Sequence, residues 1–220
     1  MRNQTDITII LDRSGSMESI KSDIIGGFNE FLKKQRECGA DIVCSLVQFD
    51  DRYETVFSGK AAKDAPELTS HTYQPRGSTA LHDAIGRTID EAGERFYKMA
   101  ESERPSKVVI VILTDGLENA SSKYMRPKLA EMIKRQREEY NWEFVFIGSN
   151  QDAIMTGQSM AVMDTHSINL CHTSQGVKDA ILGGAQNCVG YATGAKVDMS
   201  WTADQVKLQA EHFKNQQKGN

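Results

Sequence analysis

Three short segments carry residues with chemistry to offer: Asp12-Arg13-Ser14-Gly15-Ser16, Gly77-Ser78-Thr79 and Thr114-Asp115-Gly116. From them, Asp12, Ser14, Ser16, Thr79 and Asp115 present two carboxylates and three hydroxyls. Hard oxygen donors of this kind suit Mg2+, with Mn2+ or Ca2+ as alternatives, and neither Cys nor His lies in these segments. The alternation of Asp12, Ser14 and Ser16 lets one tight turn aim several oxygens at a point, and Gly15 relaxes the backbone where it bends. Magnesium commonly keeps waters and takes ligands from outside the protein. If the hydroxyls bind directly and the carboxylates partly through water, the ion retains positive charge and attracts an external anion.

The elements that must position these segments alternate between strand and helix. Asp6 to Leu11 (DITIIL) reads as a buried strand, followed by a helical stripe of Ile20, Ile24, Phe28, Phe31 and Leu32. Asp41 to Phe49 and Tyr53 to Phe57 are separated by Asp50-Asp51-Arg52, which is hairpin length, so the second of these strands should be antiparallel. Leu81, Ile85, Ile89, Ala92 and Phe96 form the next helical stripe, with Gly77-Ser78-Thr79 as its expected capping segment. Lys107 to Leu113 (KVVIVIL) predicts a central parallel strand buried on both faces. Ser121 or Ser122 is expected to cap a helix carrying Pro127 in its first turns. Glu143 to Ile147 is a further strand, followed by a short helix to about Met160, a weaker strand at Ser167 to Cys171, and a helix over Gly176 to Thr193. In that helix Gly183, Gly184 and Gly190 cost about 1 kcal/mol each in propensity and would admit close packing on the sheet. The tail from Thr202 to Asn220 is polar and helical in pattern, with too little apolar face to fold alone, so it either docks on the body or binds a partner.

This order predicts an α/β fold: a doubly wound, mostly parallel Rossmann-like sheet with one antiparallel edge strand and helices on both faces. Ligands in such sheets bind beyond the carboxyl ends of the strands, where the three segments fall. At 220 residues the chain suits one substantial domain, taken as residues 1–195, with a helical extension over 196–220. The formal charge of −4, without a basic tract, gives no electrostatic footprint for nucleic acid. The apolar runs are strand-sized, which speaks against a membrane partner, and a strand begins by about residue 6 with no charged-apolar-small leader ahead of it. Cys38, Cys44, Cys171 and Cys188 are widely spaced, without a CxxC pair, and read as reduced thiols. A cytoplasmic location is therefore expected.

With these residues in place, the chain resembles the von Willebrand factor type A (vWA) domain family. Asp12, Ser14 and Ser16 match its DxSxS motif, Thr79 its isolated threonine, and Asp115 the aspartate after the fourth strand. Together they make up the family's metal-ion-dependent adhesion site. The compact forms GSTALHDAI and FIGSNQDAI look more like stand-alone bacterial or phage members than animal adhesion receptors. The resemblance implies that Ser14, Ser16 and Thr79 bind the ion through hydroxyls, that Asp12 and Asp115 bind directly or through water, and that a partner protein's Glu or Asp completes the coordination. It implies metal-dependent protein binding and no enzyme activity, with bacterial members often working in larger complexes.

Other readings of the same residues are weaker. Asp12 and the serines could cap the first helix, and Asp115 could open a simple turn. Asp83 reads as a supporting or capping group, Asp50 and Asp51 as turn residues, and Asn150 and Asp152 as candidates for recognition on the same edge. The alternative function is a magnesium-dependent phosphotransferase or hydrolase of haloacid dehalogenase type with Asp12 as nucleophile, but that chemistry needs a carboxylate where this chain has Ser14. A scaffold with a structural metal is the third reading. His82 and Asp83 are adjacent on a helix and cannot both serve Ser14 in a triad, the scattered histidines do not suggest zinc, and no GxxxxGKS/T loop exists for nucleotide.

Overall fold

From Thr5 onward the first strand is buried at every position, because it runs through the middle of a sheet covered on both faces. A computed structural model describes residues 1–149 and 153–218. In chain order the elements are β1 (Arg2–Asp12), α1 (Lys21–Glu37), β2 (Ile42–Phe49), β3 (Tyr53–Ala61), α2 (Leu81–Tyr97), β4 (Pro105–Thr114), α3 (Arg126–Tyr140), β5 (Trp142–Gly148), α4 (Ala153–Ser159), β6 (Ser167–Asn169), α5 (Ser174–Thr193) and α6 (Ala203–Lys218). Strand order is β3-β2-β1-β4-β5-β6. All neighbours pair parallel except β2 with β3, the hairpin across Asp50-Asp51-Arg52. The order reverses between β1 and β4, so Asp12 at the end of β1 and Asp115 just past β4 flank the topological switch point.

Alternate residues of the central strands feed two cores. Ile7, Ile9 and Leu11 of β1 join Val109, Val111 and Leu113 of β4 under α1 and α5. Ile10 of β1 joins Ile110 and Ile112 of β4 under α2 and α3. Helices α1 and α5 approach closely at Gly27, where a Cβ would lie 2.6 Å from Ile181 Cδ1. The glycines of α5 serve the tail more than the sheet. A Cβ at Gly183 would meet the Trp201 ring at 2.9 Å and one at Gly190 would meet Lys196 at 2.8 Å, while Gly184 faces both Ile147 and Trp201.

Two expected caps are corrected. Helix α3 starts at Arg126 behind Met125, and neither Ser121 nor Ser122 caps it. Helix α2 has Ala80 at its N-cap with no side-chain capping bond, so the Gly77-Ser78-Thr79 segment does not cap it. Its first amides are taken instead by Glu118, which accepts from His82 N at 2.8 Å, and by Ser121 Oγ, which accepts from Asp83 N at 3.0 Å. The reason is geometric: the 115–125 loop folds over the start of α2 and supplies acceptors that the local sequence lacks.

The polar tail docks on the body. Gln209 of α6 is 3% exposed. Its side chain accepts from Cys171 N at 3.1 Å and donates to Gly176 O at 2.9 Å. His212 adds a 2.8 Å contact to Asp179 of α5. Truncating Gln209 would strand a buried amide and a buried carbonyl, at about 1–3 kcal/mol for an unmet group. Gln209→Ala should therefore lower the melting temperature by roughly 2 to 12 °C in a thermal scan. All four cysteines are free, with Cys44, Cys171 and Cys188 buried and Cys38 half-buried.

Candidate metal centre

Strand β1 delivers Asp12 as its last residue, fully buried. Its Oδ1 accepts from Ser14 N at 2.6 Å, its Oδ2 from Thr114 Oγ1 at 2.5 Å, and its carbonyl from Tyr73 OH at 2.7 Å. The first two contacts fix the carboxylate and the third fixes its backbone. Arg13 points away from it: its guanidinium Nε donates to Asp50 at 3.0 Å and Nη1 to Glu54 at 2.6 Å. Beyond the intervening Arg13, Ser14 occupies the N-cap of a 3-10 turn over Gly15–Ile20, yet its side chain makes no capping bond. Ser14 Oγ instead lies 3.2 Å from Ser16 Oγ, which donates to Asp115 Oδ1 at 2.5 Å. The helix-capping reading of the serines is thereby replaced by a shared cluster of oxygens.

Thr79 arrives on a loop held by backbone bonds. Gly15 N donates to Gly77 O at 3.2 Å and Ala80 N to Asp50 O at 2.9 Å. Asn119 clamps Thr79 itself, accepting from Thr79 N at 2.9 Å through Oδ1 and donating its own N–H to Thr79 O at 3.0 Å. Gly77 has φ +68°, and a Cβ there would lie 2.4 Å from Asp51 Oδ1, so two separate constraints call for glycine. A Cβ on Gly116 would lie 2.8 Å from Thr79 Oγ1 and 3.5 Å from Asp12 Oδ2, so both oxygens face the same small space. The structure thus brings Asp12, Ser14, Ser16, Thr79 and Asp115 to one point at the carboxyl edge of the sheet.

Electrostatics mark this cluster as wanting a cation. Burial raises the Asp12 carboxyl above its ordinary value, against the hydrogen bonds from Thr114 and Ser14, and Asp115 pushes it further. Burial likewise raises Asp115, opposed by Ser16 and by His172. Asp115 Oδ2 is buried and has no hydrogen-bond partner among the described residues. Two buried carboxylates and three hydroxyls gathered here, one carboxylate oxygen among them unpaired, fit a hard divalent ion in donor type. Among the described residues no group of three His, Cys, Asp or Glu side chains is placed to hold a metal, so the hydroxyls are essential to such a site.

Residues outside the cluster have other tasks. Asp83 accepts from Ser122 N, Lys123 N and Tyr124 N at 2.9, 2.9 and 2.8 Å, which ties the 115–125 loop to α2. Asp51 is exposed, whereas Asp50 is buried and holds Arg13 and Arg76. Asn150 and Asp152 lie outside the described residues. Tyr73, Asn119, Glu118 and His172 escaped the reading of the sequence. Tyr73 and His172 reach the site from distant segments, whereas Glu118 and Asn119 follow Asp115 directly but act on the remote start of α2 and on Thr79. Gly116→Ala should put a methyl against Thr79 Oγ1, costing about 1–3 kcal/mol of stability as an overpacked site does. Divalent-cation affinity, read by calorimetry, should fall at least about tenfold.

A search of curated protein sequences finds no match. Among solved structures the fold is similar to proximal thread matrix protein 1 from the mussel byssus, with TM-score 0.57 at 16% identity over 86% of this chain and 46% of that one. A second structure of the mussel protein, described as having a zinc-occupied MIDAS motif, aligns with TM-score 0.53 at 15% identity over 84% of this chain and 46% of that one. The PilB minor pilin from Streptococcus sanguinis aligns with TM-score 0.63 at 12% identity over 86% of this chain and 62% of that one. The chain therefore spans less than half the length of the mussel protein. A family model, the von Willebrand factor type A domain, matches residues 6–177. With that match covering most of the sequence, and with the sheet order and parallel pairing described above, the chain belongs to the von Willebrand factor type A domain family.

Proposed function

We propose that this domain is a metal-dependent protein-binding module whose centre is a complete metal-ion-dependent adhesion site. Ser14, Ser16 and Thr79 would hold a divalent cation through their hydroxyls, with Asp12 and Asp115 bound directly or through water. Mg2+ is the ion that the oxygen donors favour, with Mn2+ or Ca2+ as alternatives. When bound, the ion supplies positive charge to a carboxylate from a partner's Glu or Asp. The chain's own residues do the positioning: Thr114 and Ser14 N hold Asp12, Ser16 holds Asp115, and Asn119 holds Thr79. The observation that carries this reading is the buried Asp115, one oxygen bonded into the Ser14–Ser16 pair and the other without a hydrogen-bond partner among the described residues.

We read the protein as a non-enzymatic, cytoplasmic, stand-alone member of bacterial or phage type acting within a larger complex. Residues 1–195 would form the binding domain and 196–220 its helical extension. No helix among the described residues is long and apolar enough to cross a membrane. The test pairs calorimetry with Mg2+ and Mn2+ with a peptide library in which every Glu and Asp is matched by its Gln or Asn counterpart. Acid-specific, cation-dependent retention that is lost in a folded Thr79→Ala variant supports the proposal. Equal retention of acid and amide, or metal binding unchanged in Thr79→Ala, overturns it.

A further inference from the structure

His172 lies on the short segment between β6 and α5, and its ring reaches the proposed centre. Its Nε2 is 3.7 Å from Asp115 Oδ2, the oxygen that is buried without a hydrogen-bond partner among the described residues. That separation is too long for a hydrogen bond. It is slightly longer than the spacing of two ligands on one ion, since donors about 2.0–2.2 Å from a metal stand roughly 2.8 to 3.6 Å apart at octahedral and tetrahedral angles, and a small turn of the ring closes the difference. The Asp115 side chain is 1% exposed and cannot turn to water for relief, whereas His172 is 34% exposed and can adjust.

The backbone on both sides of His172 is pinned. Cys171 N donates to Gln209 Oε1 at 3.1 Å, and Thr173 N donates to Cys171 O at 2.8 Å. Thr173 Oγ1 then caps α5 by accepting from Gly176 N at 3.1 Å. The backbone around His172 is thus held, while the ring itself makes no hydrogen bond among the described residues and has Asp115 as its charged contact. A neutral imidazole nitrogen is a borderline donor, well matched to zinc, cobalt or nickel and poorly matched to magnesium.

We propose that His172 Nε2 is a further ligand of the cation held at this centre, beside Asp115 and the hydroxyls with Asp12 acting through water, and that it shifts the site's preference from magnesium toward zinc-class first-row ions. This rests on the adhesion-site reading and refines it by naming the ion. The experiment uses the full chain, with Mg2+, Zn2+ and Co2+ titrated in turn into the wild type, His172→Ala, Asp12→Asn and Thr79→Ala, each checked for fold by circular dichroism. The expected result is tight Zn2+ and Co2+ binding by the wild type. His172→Ala should reduce Zn2+ affinity about tenfold or more while Mg2+ affinity stays within about twofold, and it should alter the visible absorption of bound Co2+. Zn2+ binding should also fall in Asp12→Asn and Thr79→Ala. An unchanged ratio of Zn2+ to Mg2+ affinity in His172→Ala, with Mg2+ still lost in Thr79→Ala, overturns the role of His172 and leaves the adhesion site standing. Zn2+ binding that survives Asp12→Asn and Thr79→Ala in full places the zinc elsewhere and also overturns it. Failure of the wild type to bind any of the three ions overturns both readings.

Discussion

Asp12→Asn should abolish the rise in melting temperature that a divalent cation gives the wild type, while leaving the metal-free protein at least as stable. The carboxylate is fully buried, and its pKa is raised by that burial and by the neighbouring Asp115. Ionised and without a cation, it works against folding. Its folded pKa lies above the unfolded value, so its favourable contribution is complete below the ordinary carboxyl range and is lost as pH rises through the raised pKa. The advantage of the metal-free Asn variant over the wild type should therefore grow with pH. Asparagine keeps an oxygen for Ser14 N, and the Thr114 hydroxyl, which now donates at 2.5 Å, can rotate to accept from the new amide. With the cation present the sign reverses. At a free concentration one hundred times its dissociation constant, a ligand confined to the folded state adds about 2.7 kcal/mol. For a domain of this size that is roughly 5 to 10 °C. Thermal scans with Mg2+ or Zn2+ against a chelator should show this rise in the wild type and none in Asp12→Asn. A full rise in the variant would place the ion away from Asp12.

The strands and the segments that bring the oxygens together were legible in the sequence because both are local. Lys107 to Leu113 is β-branched at almost every position, and the structure buries it as the middle of β4 beside β1. Asp12, Ser14 and Ser16 alternate, and the structure turns them to one side while Arg13 goes to the other. What remained hidden depends on contacts between remote segments. The start of α2 looked as though the preceding Gly77-Ser78-Thr79 capped it, but its amides are met by Glu118 and Ser121 from a loop more than thirty residues later. Ser121, which looked like the cap of α3, is occupied by that task and by a 2.6 Å bond to Glu118. His172 carries no motif of its own and becomes notable only because the parallel pairing of β6 sets the following segment beside Asp115. The hairpin Asp50-Asp51-Arg52 was read correctly as a turn, but the fate of its two carboxylates could not be told apart from composition.

That difference makes Asp50→Ala the most damaging substitution expected in this region. Asp50 is 0% exposed, and its carboxylate accepts from Arg13 Nε at 3.0 Å, Arg76 Nε at 2.8 Å and Arg52 N at 2.6 Å. Burial alone would raise its pKa. The hydrogen bonds from Arg76 and Arg52 N and the charge of Arg13 outweigh that and hold it below the ordinary value. Removing the carboxylate leaves the buried Arg13 guanidinium with Gln48 and the mostly exposed Glu54 as its remaining partners. Breaking one side of a buried pair costs about 3–5 kcal/mol, because the surviving charge stays desolvated. The corresponding drop in melting temperature is roughly 6 to 20 °C. Asp50→Asn keeps an acceptor for Arg52 N but loses the charge, so it should fall between the wild type and Asp50→Ala. The pH dependence has a definite sign. The depressed pKa means that Asp50 contributes stability above about 3.8, and this is lost as pH falls through the lower folded value. Acid unfolding of the wild type should therefore be steeper than that of Asp50→Asn. The same residue reaches the proposed centre through its backbone, since its carbonyl accepts from Ala80 N next to Thr79, and through Arg76 just before Gly77. Cation affinity in the still-folded Asp50→Asn protein should drop as the Thr79 loop loosens. Urea unfolding across pH 3 to 8, with metal titration at pH 7, measures both effects. A loss of less than about 1 kcal/mol in Asp50→Ala would mean that solvent reaches Arg13 and that the loop is held by its backbone bonds alone.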